Sequence, residues 1–140
     1  MGYALIGAST PGPLEALGLV AVDLQPSVRG VMASFNVRLE LSDATDVVVT
    51  RIEASCPRIL LVDTDLLGCP ADLCRFARSL RSDVKVIALA YFWSEREEAL
   101  RACADAVLHK PPRRREWQAT VTQLGVPSLI RPAPDSARVA

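Results

Sequence analysis

The sequence has no excess of either charge and no long apolar segment. Its 140 residues contain 16 basic and 16 acidic side chains, so the formal net charge is zero. A neutral chain has no global field to attract nucleic acid or an anionic membrane surface. No apolar run approaches the roughly 20 residues that a membrane helix needs. No basic residue precedes Arg29, so the charged region of a signal peptide is missing. We therefore expect a cytoplasmic protein that binds neither nucleic acid nor membranes.

Cysteine, histidine and lysine are also scarce. The four cysteines form no CxxC pair and lack the spacing of a zinc site, so we expect reduced structural thiols: Cys56, Cys69, Cys74 and Cys103. The only histidine, His109, adds little to a metal site. Among the 16 basic residues only Lys85 and Lys110 are lysines. A lysine is therefore an uncommon choice in this chain.

The length and the apolar content favour one globular domain. Half of the residues are hydrophobic, which excludes a disordered chain, and 140 residues suffice for a single core. The sequence Pro11-Gly12-Pro13 indicates an irregular leader over residues 1–16. A domain is predicted over residues 17–124. Three prolines follow Gly125, so residues 125–140 are predicted to be a poorly ordered tail.

Charged residues follow three predicted strands. The apolar run Ile59–Val62 has strand length and suits a central strand covered on both faces, and it stops at Asp63, with Asp65 two residues later. The run Leu17–Val22 stops at Asp23 in the same way. The short strand 106–109 is followed by Lys110.

Strands and helices alternate along the whole domain. This alternation predicts an α/β protein with a five-stranded parallel sheet and helices on both faces. The expected class is the flavodoxin-like doubly wound fold with strand order 2-1-3-4-5. The predicted strands are 17–22, 37–41, 59–62, 84–90 and 106–109. The predicted helices are 28–35, a helix from a cap at 42 or 43 to about 55, then 72–80, 94–103 and 113–124.

In that strand order, Asp23, Asp63 and Lys110 lie at the same edge of the sheet. Open α/β sheets place their ligand sites at the carboxyl ends of their strands. Two carboxylates can hold Mg²⁺ through hard oxygens, while an ammonium neutralises a phosphoryl group. The sequence therefore predicts a magnesium and phosphoryl site at this edge.

With these motifs, residues 19–124 resemble the receiver domain of bacterial two-component response regulators. The resemblance is carried by Val22-Asp23, Pro26 to Arg29, Pro57 to Asp63, and Lys110-Pro111. It implies that Asp63 is the phosphorylated, catalytic aspartate and that Lys110 contacts the phosphoryl group. It also implies that Asp23, Asp63 and Asp65 are the metal ligands, Asp65 through its main-chain carbonyl or, alternatively, through a side-chain oxygen.

The sequence departs from the receiver pattern at positions that serve the site. A second acidic residue is replaced by Leu24, and the hydroxyl residue that ends the fourth strand is replaced by Ala90. The switching aromatic of the fifth strand falls on Val107. We therefore expect Mg²⁺ binding to be weak or absent and phosphorylation of Asp63 to be slow or absent, and we expect Leu24→Asp to strengthen both.

Three of the seven aromatic residues stand together as Tyr91-Phe92-Trp93. One ring is expected to fill space around the site, and at least one of the others to contact a partner, since Trp and Tyr are favoured at interfaces. The hypothesis is a degenerate receiver domain that is not an enzyme. It would stand alone, because the chain ends soon after the fifth predicted helix, and would bind a histidine kinase, another signalling protein or a second copy of itself. The alternative is a small doubly wound enzyme or cofactor-binding domain that uses the same strand ends.

Overall fold

The computed structural model describes residues 14–33, 35, 37–67, 71–91 and 104–125. Within these ranges no helix is both long enough and apolar enough to cross a membrane. The predicted leader and tail lie almost entirely outside the described residues, so the proposed domain limits stay predictions.

The core of the fold is a five-stranded parallel sheet. Its strand order is β2-β1-β3-β4-β5, which confirms the predicted topology. All five residues of the central strand β3 are buried, as its unbroken apolar sequence predicts. The strands are β1 (Leu14–Leu19), β2 (Val37–Ser42), β3 (Ile59–Asp63), β4 (Lys85–Ala90) and β5 (Ala106–His109).

The described residues contain five helices, and the four long ones pair up on the two faces of the sheet. They are α1 (Gln25–Met32), α2 (Thr45–Ser55), α3 (Thr64–Leu67), α4 (Ala71–Leu80) and α5 (Arg114–Gln123). The side chains of β3 alternate between the faces: Leu60 and Val62 pack with α2 and α4, whereas Ile59 and Leu61 pack with α1 and α5. Four predicted helices are thus observed, and α3 is an addition. The helix predicted over 94–103 lies outside the described residues.

The first strand begins and ends three residues earlier than predicted. The pairs Ala16–Ile59 and Leu19–Val62 fix β1 beside β3. Gly18 supports this register, because a Cβ there would lie 2.6 Å from Leu41 Cδ2 and 3.3 Å from Leu61 Cβ. The first helix also begins earlier than the predicted residue 28, because α1 begins at Gln25 with a proline in its first turn. The earlier end of β1 places Asp23 four residues beyond the strand instead of directly after it.

Of the two cysteines among the described residues, one differs from the prediction of reduced thiols. Cys56 is a free thiol, but Cys74, which is fully buried on α4, is disulfide-bonded. The lack of a CxxC pair excludes only that one spacing. Any other pairing depends on the tertiary fold, so the spacing of the cysteines along the chain does not reveal it.

Candidate functional site at the carboxyl ends of β3 and β5

Asp63 lies at the point where β3 changes into the short helix α3. Its side chain is 1% exposed and accepts three hydrogen bonds. Oδ1 accepts the backbone N–H of Asp65 at 3.0 Å, so Asp63 caps the first turn of α3. Oδ2 accepts the backbone N–H of Ala21, the second residue after β1, at 3.1 Å. A carboxylate that only accepts hydrogen bonds is therefore held by two backbone segments.

Lys110 brings a positive charge to this carboxylate from the end of β5. Its Nζ lies 2.6 Å from Asp63 Oδ1 and 2.9 Å from Asp65 Oδ2. The lysine side chain and Asp63 are each 1% exposed, whereas the Asp65 side chain is 51% exposed. The peptide bond from Lys110 to Pro111 is cis. We refer to Asp63, Asp65 and Lys110 as the ion cluster.

The ion cluster keeps Lys110 charged in spite of its burial. Burial by itself lowers the pKa of Lys110, because it penalises the ammonium form. The hydrogen bonds to Asp63 and Asp65, together with the attraction of their charges, outweigh burial and raise the pKa above its ordinary value. Lys110 therefore carries a positive charge at neutral pH.

An aromatic ring lies against the same ammonium. Lys110 Nζ is 4.5 Å from the centre of the ring of Tyr91, the residue that follows β4. This distance is within the range of a cation–π interaction. The sequence pattern predicts a space-filling or interface role for Tyr91 but does not predict its contact with Lys110. The signal was the position of Tyr91 directly after the strand beside β5.

The exit of β1 does not carry a carboxylate into the ion cluster. Asp23 is exposed, four residues beyond the end of β1. Leu24 is buried with Val28 and Met32 in the core on the α1 side of the sheet. Among the described residues Asp23 is not grouped with Asp63 and Asp65 as a metal site, and its predicted convergence with Asp63 stays a prediction.

The described residues leave no open position between the two carboxylates of the ion cluster. Within the described ranges no three Asp, Glu, His or Cys side chains are grouped so that they could hold a metal ion. The two carboxylates that do meet, Asp63 and Asp65, are joined by the Lys110 ammonium. A Mg²⁺ ion prefers several oxygen ligands around it. The position between these carboxylates is instead taken by a nitrogen that carries a positive charge.

Two further residues fix the strand ends that the ion cluster joins. The hydroxyl of Thr64, buried directly after Asp63, donates to the carbonyl of Leu89 in β4 at 3.0 Å. The carbonyl of Ala90, the last residue of β4, accepts the backbone N–H of Lys110 at 3.2 Å. Ala90 thus supports Lys110 through its main chain, although its side chain lacks the hydroxyl that the receiver pattern has there.

Solved structures with a similar fold include receiver domains and response regulators. The receiver domain of the sensor histidine kinase PA1611 from Pseudomonas aeruginosa is 23% identical, with a TM-score of 0.67 over 81% of this chain and 98% of that one. A response regulator from Thermotoga maritima is 15% identical, with a TM-score of 0.67 over 81% and 98%. The receiver domain of NtrX from Brucella abortus is 16% identical, with a TM-score of 0.65 over 79% and 96%.

These comparisons establish the fold. No family model matches the sequence, and no curated protein sequence matches it. The structural likeness extends over nearly the full length of the receiver domains, so the flavodoxin-like fold recognised in the sequence is the receiver fold. The PA1611 receiver domain has a magnesium ion in its active-site cleft. In this chain the ion cluster lies at the carboxyl ends of β3 and β5.

Proposed function

We propose that this chain is a signalling domain of the receiver type, with Asp63 as its candidate phosphoacceptor and with an ion cluster that keeps the site closed. The observation that supports this most directly is the 2.6 Å contact between Lys110 Nζ and Asp63 Oδ1. The contact joins the ends of two strands of a receiver fold, at the edge where open α/β sheets place their sites. Its expected place in the cytoplasm remains a prediction.

The chemistry proposed for Asp63 is the formation of an acyl phosphate. A carboxylate oxygen attacks the phosphorus of a phosphodonor such as acetyl phosphate, the bond from phosphorus to the acetyl oxygen breaks, and acetate leaves with the electron pair. Asp63 Oδ2 is the freer oxygen, because Oδ1 already accepts from both Lys110 and Asp65. The Lys110 ammonium would offset the charge of the phosphoryl oxygens.

The burial of Asp63 makes this reaction slow. With 1% of its surface exposed, Asp63 cannot meet a phosphodonor until the residues around it move. The experiment is incubation of the protein with acetyl phosphate and Mg²⁺, with the mass increase of one phosphoryl group followed by intact-mass spectrometry. We expect slow, partial labelling that is absent in Asp63→Asn. Labelling that persists in Asp63→Asn would show that another residue accepts the phosphoryl group.

Magnesium binding is proposed to be weak, with Asp63 and Asp65 as the ligands closest to each other and Asp23 as a separate carboxylate. A metal ion would have to displace Lys110 from both carboxylates of the ion cluster. We expect the melting temperature to stay nearly constant as Mg²⁺ rises to millimolar concentrations. The benefit expected from Leu24→Asp stays a prediction, and the burial of Leu24 means that the new carboxylate would first disturb the α1 side of the core.

The proposed partners are a histidine kinase, another signalling protein or a second copy of the chain. Tyr91 is 47% exposed, so part of its ring remains accessible beside the ion cluster. The predicted contribution of Phe92 or Trp93 to an interface concerns residues outside those described. Sedimentation of the wild type, Phe92→Ala and Trp93→Ala tests the self-association part of this proposal. A monomer at all concentrations would contradict it.

A further inference from the structure

Tyr91 occupies a particular position relative to the ion cluster. Lys110 is 2% exposed as a whole residue, and the ring of Tyr91 lies 4.5 Å from its Nζ. Tyr91 itself is 47% exposed, so the ring has one side toward the protein and a part toward solvent. The ring therefore lies between the buried ammonium and the surface.

The ammonium has three favourable contacts. It approaches Asp63 and Asp65 through hydrogen bonds and the Tyr91 ring through a cation–π contact. The two carboxylates lie at the start of α3, where Asp63 caps the helix by accepting the backbone N–H of Asp65. Of the three groups, only Tyr91 comes from the end of β4.

We propose that Tyr91 is a positioning residue that closes the site, because its ring holds the Lys110 ammonium on both carboxylates and limits access to Asp63. The ring has this effect through its electron-rich face, which an aliphatic side chain of similar volume lacks. The position of the Lys110 ammonium under the Tyr91 ring does not depend on phosphorylation. The effect of Tyr91 on phosphorylation of Asp63 rests on the proposed function.

The two lysines of the chain allow a direct measurement. Lys85 lies half-buried at the start of β4 and is the internal reference for the buried Lys110. The folded protein is treated with a limiting amount of acetic anhydride, and acetylation of each lysine is quantified by peptide mass spectrometry. The ratio of the two rates cancels differences in reagent concentration. In the wild type we expect Lys110 to react much more slowly than Lys85.

Three substitutions distinguish the effect of the aromatic face of Tyr91 from the effect of its side-chain volume. Tyr91→Phe keeps the aromatic face, Tyr91→Leu keeps apolar volume, and Tyr91→Ala removes both. We expect Tyr91→Phe to protect Lys110 as the wild type does. In Tyr91→Leu and Tyr91→Ala we expect Lys110 to react roughly five- to thirtyfold faster relative to Lys85, which corresponds to the usual strength of a cation–π contact. Circular dichroism and the melting temperature of each variant confirm that it is folded.

The proposal is overturned if Tyr91→Leu protects Lys110 as well as Tyr91→Phe does, since bulk alone would then suffice. It is also overturned if Tyr91→Phe loses protection, because the hydroxyl and not the ring would be responsible. If Tyr91→Ala does not fold, the Phe and Leu variants still decide. A wild-type Lys110 that reacts as fast as Lys85 overturns it without any variant.

A second measurement separates this inference from the proposed function. The folded variants are incubated with acetyl phosphate and Mg²⁺, and labelling of Asp63 is followed by mass. Faster labelling in Tyr91→Leu than in Tyr91→Phe supports both proposals. If Lys110 becomes reactive in Tyr91→Leu but Asp63 is labelled in no variant, Tyr91 closes the site and the phosphoacceptor role of Asp63 is rejected.

Discussion

The neighbouring strands β1 and β3 contribute in different ways to the same edge of the sheet. β3 ends on Asp63, a buried carboxylate with an ammonium 2.6 Å away. The segment after β1 contributes a backbone N–H from Ala21 and the buried side chain of Leu24, while Asp23 is exposed. One strand end thus carries charge and the other carries packing and a hydrogen bond. The site is therefore organised by β3 and β5, and the segment after β1 supports it.

The largest expected difference is between removing Asp63 and removing Asp23. Asp63→Ala leaves the buried Lys110 with only the half-exposed Asp65, and we expect a loss of about 3 to 5 kcal/mol in the free energy of unfolding. The matched change Asp23→Ala removes an exposed carboxylate and should alter stability by less than about 0.5 kcal/mol. Urea unfolding measures both. Equal losses would show that β1 and β3 contribute charge alike.

The packing role of the β1 exit is tested by Leu24→Ala. Leu24 is 8% exposed and contacts the core residues of α1, so we expect a loss of about 2 to 3 kcal/mol. The control is Val22→Ala, at a residue that is 63% exposed in the same connection, where little change is expected. Measurement is again by urea unfolding. A neutral Leu24→Ala would mean that the residue does not anchor α1.

Alkaline pH should lower the free energy of unfolding, because Lys110 then loses the charge that compensates Asp63 at the end of β3. Its folded pKa is raised, so above the ordinary value of 10.5 the folded protein binds more protons than the unfolded chain. The stability contributed by this group is complete below pH 10.5 and is lost as the pH rises through the folded pKa. The slope from one group is at most about 1.4 kcal/mol per pH unit.

The pH experiment compares the wild type with Lys110→Met by thermal or urea unfolding between pH 9 and a pH of about 11, near the lysine range. Other groups titrate in both proteins, so the difference between the two curves isolates Lys110. We expect the curves to approach each other as the pH rises. Parallel curves would contradict the raised pKa.

The smallest effect is expected within the ion cluster itself, at Asp65. Its side chain is 51% exposed, so solvent screens its attraction to Lys110. Asp65→Asn should therefore cost less than about 1 kcal/mol, well below the loss for Asp63→Ala. A loss as large as that of Asp63→Ala would show that the two carboxylates share the charge of Lys110 equally.

The β3 and β5 ends could be predicted from sequence because each apolar run stops at a charged residue, and the structure brings Asp63 and Lys110 together. The β1 end could not, because the segment 14–22 is apolar except for Glu15 and allows more than one strand register. Pairing with β3 and the close approach at Gly18 select the register, and neither is visible in a local pattern. The aromatic group that contains Tyr91 could be recognised in the sequence. Its contact with Lys110 could not, because that contact depends on the pairing of β4 with β5.

The contact between Asp63 and Lys110 also has a consequence for the order of folding. It joins residues 47 positions apart, and Lys110 follows the last strand of the sheet. A growing chain that has made β3 and β4 but not Lys110 would bury a carboxylate without its counter-charge, which is unfavourable. We therefore expect fragments that end before Lys110 to remain loosely structured. Cooperative folding of the domain then requires its carboxyl-terminal third, which contains Lys110.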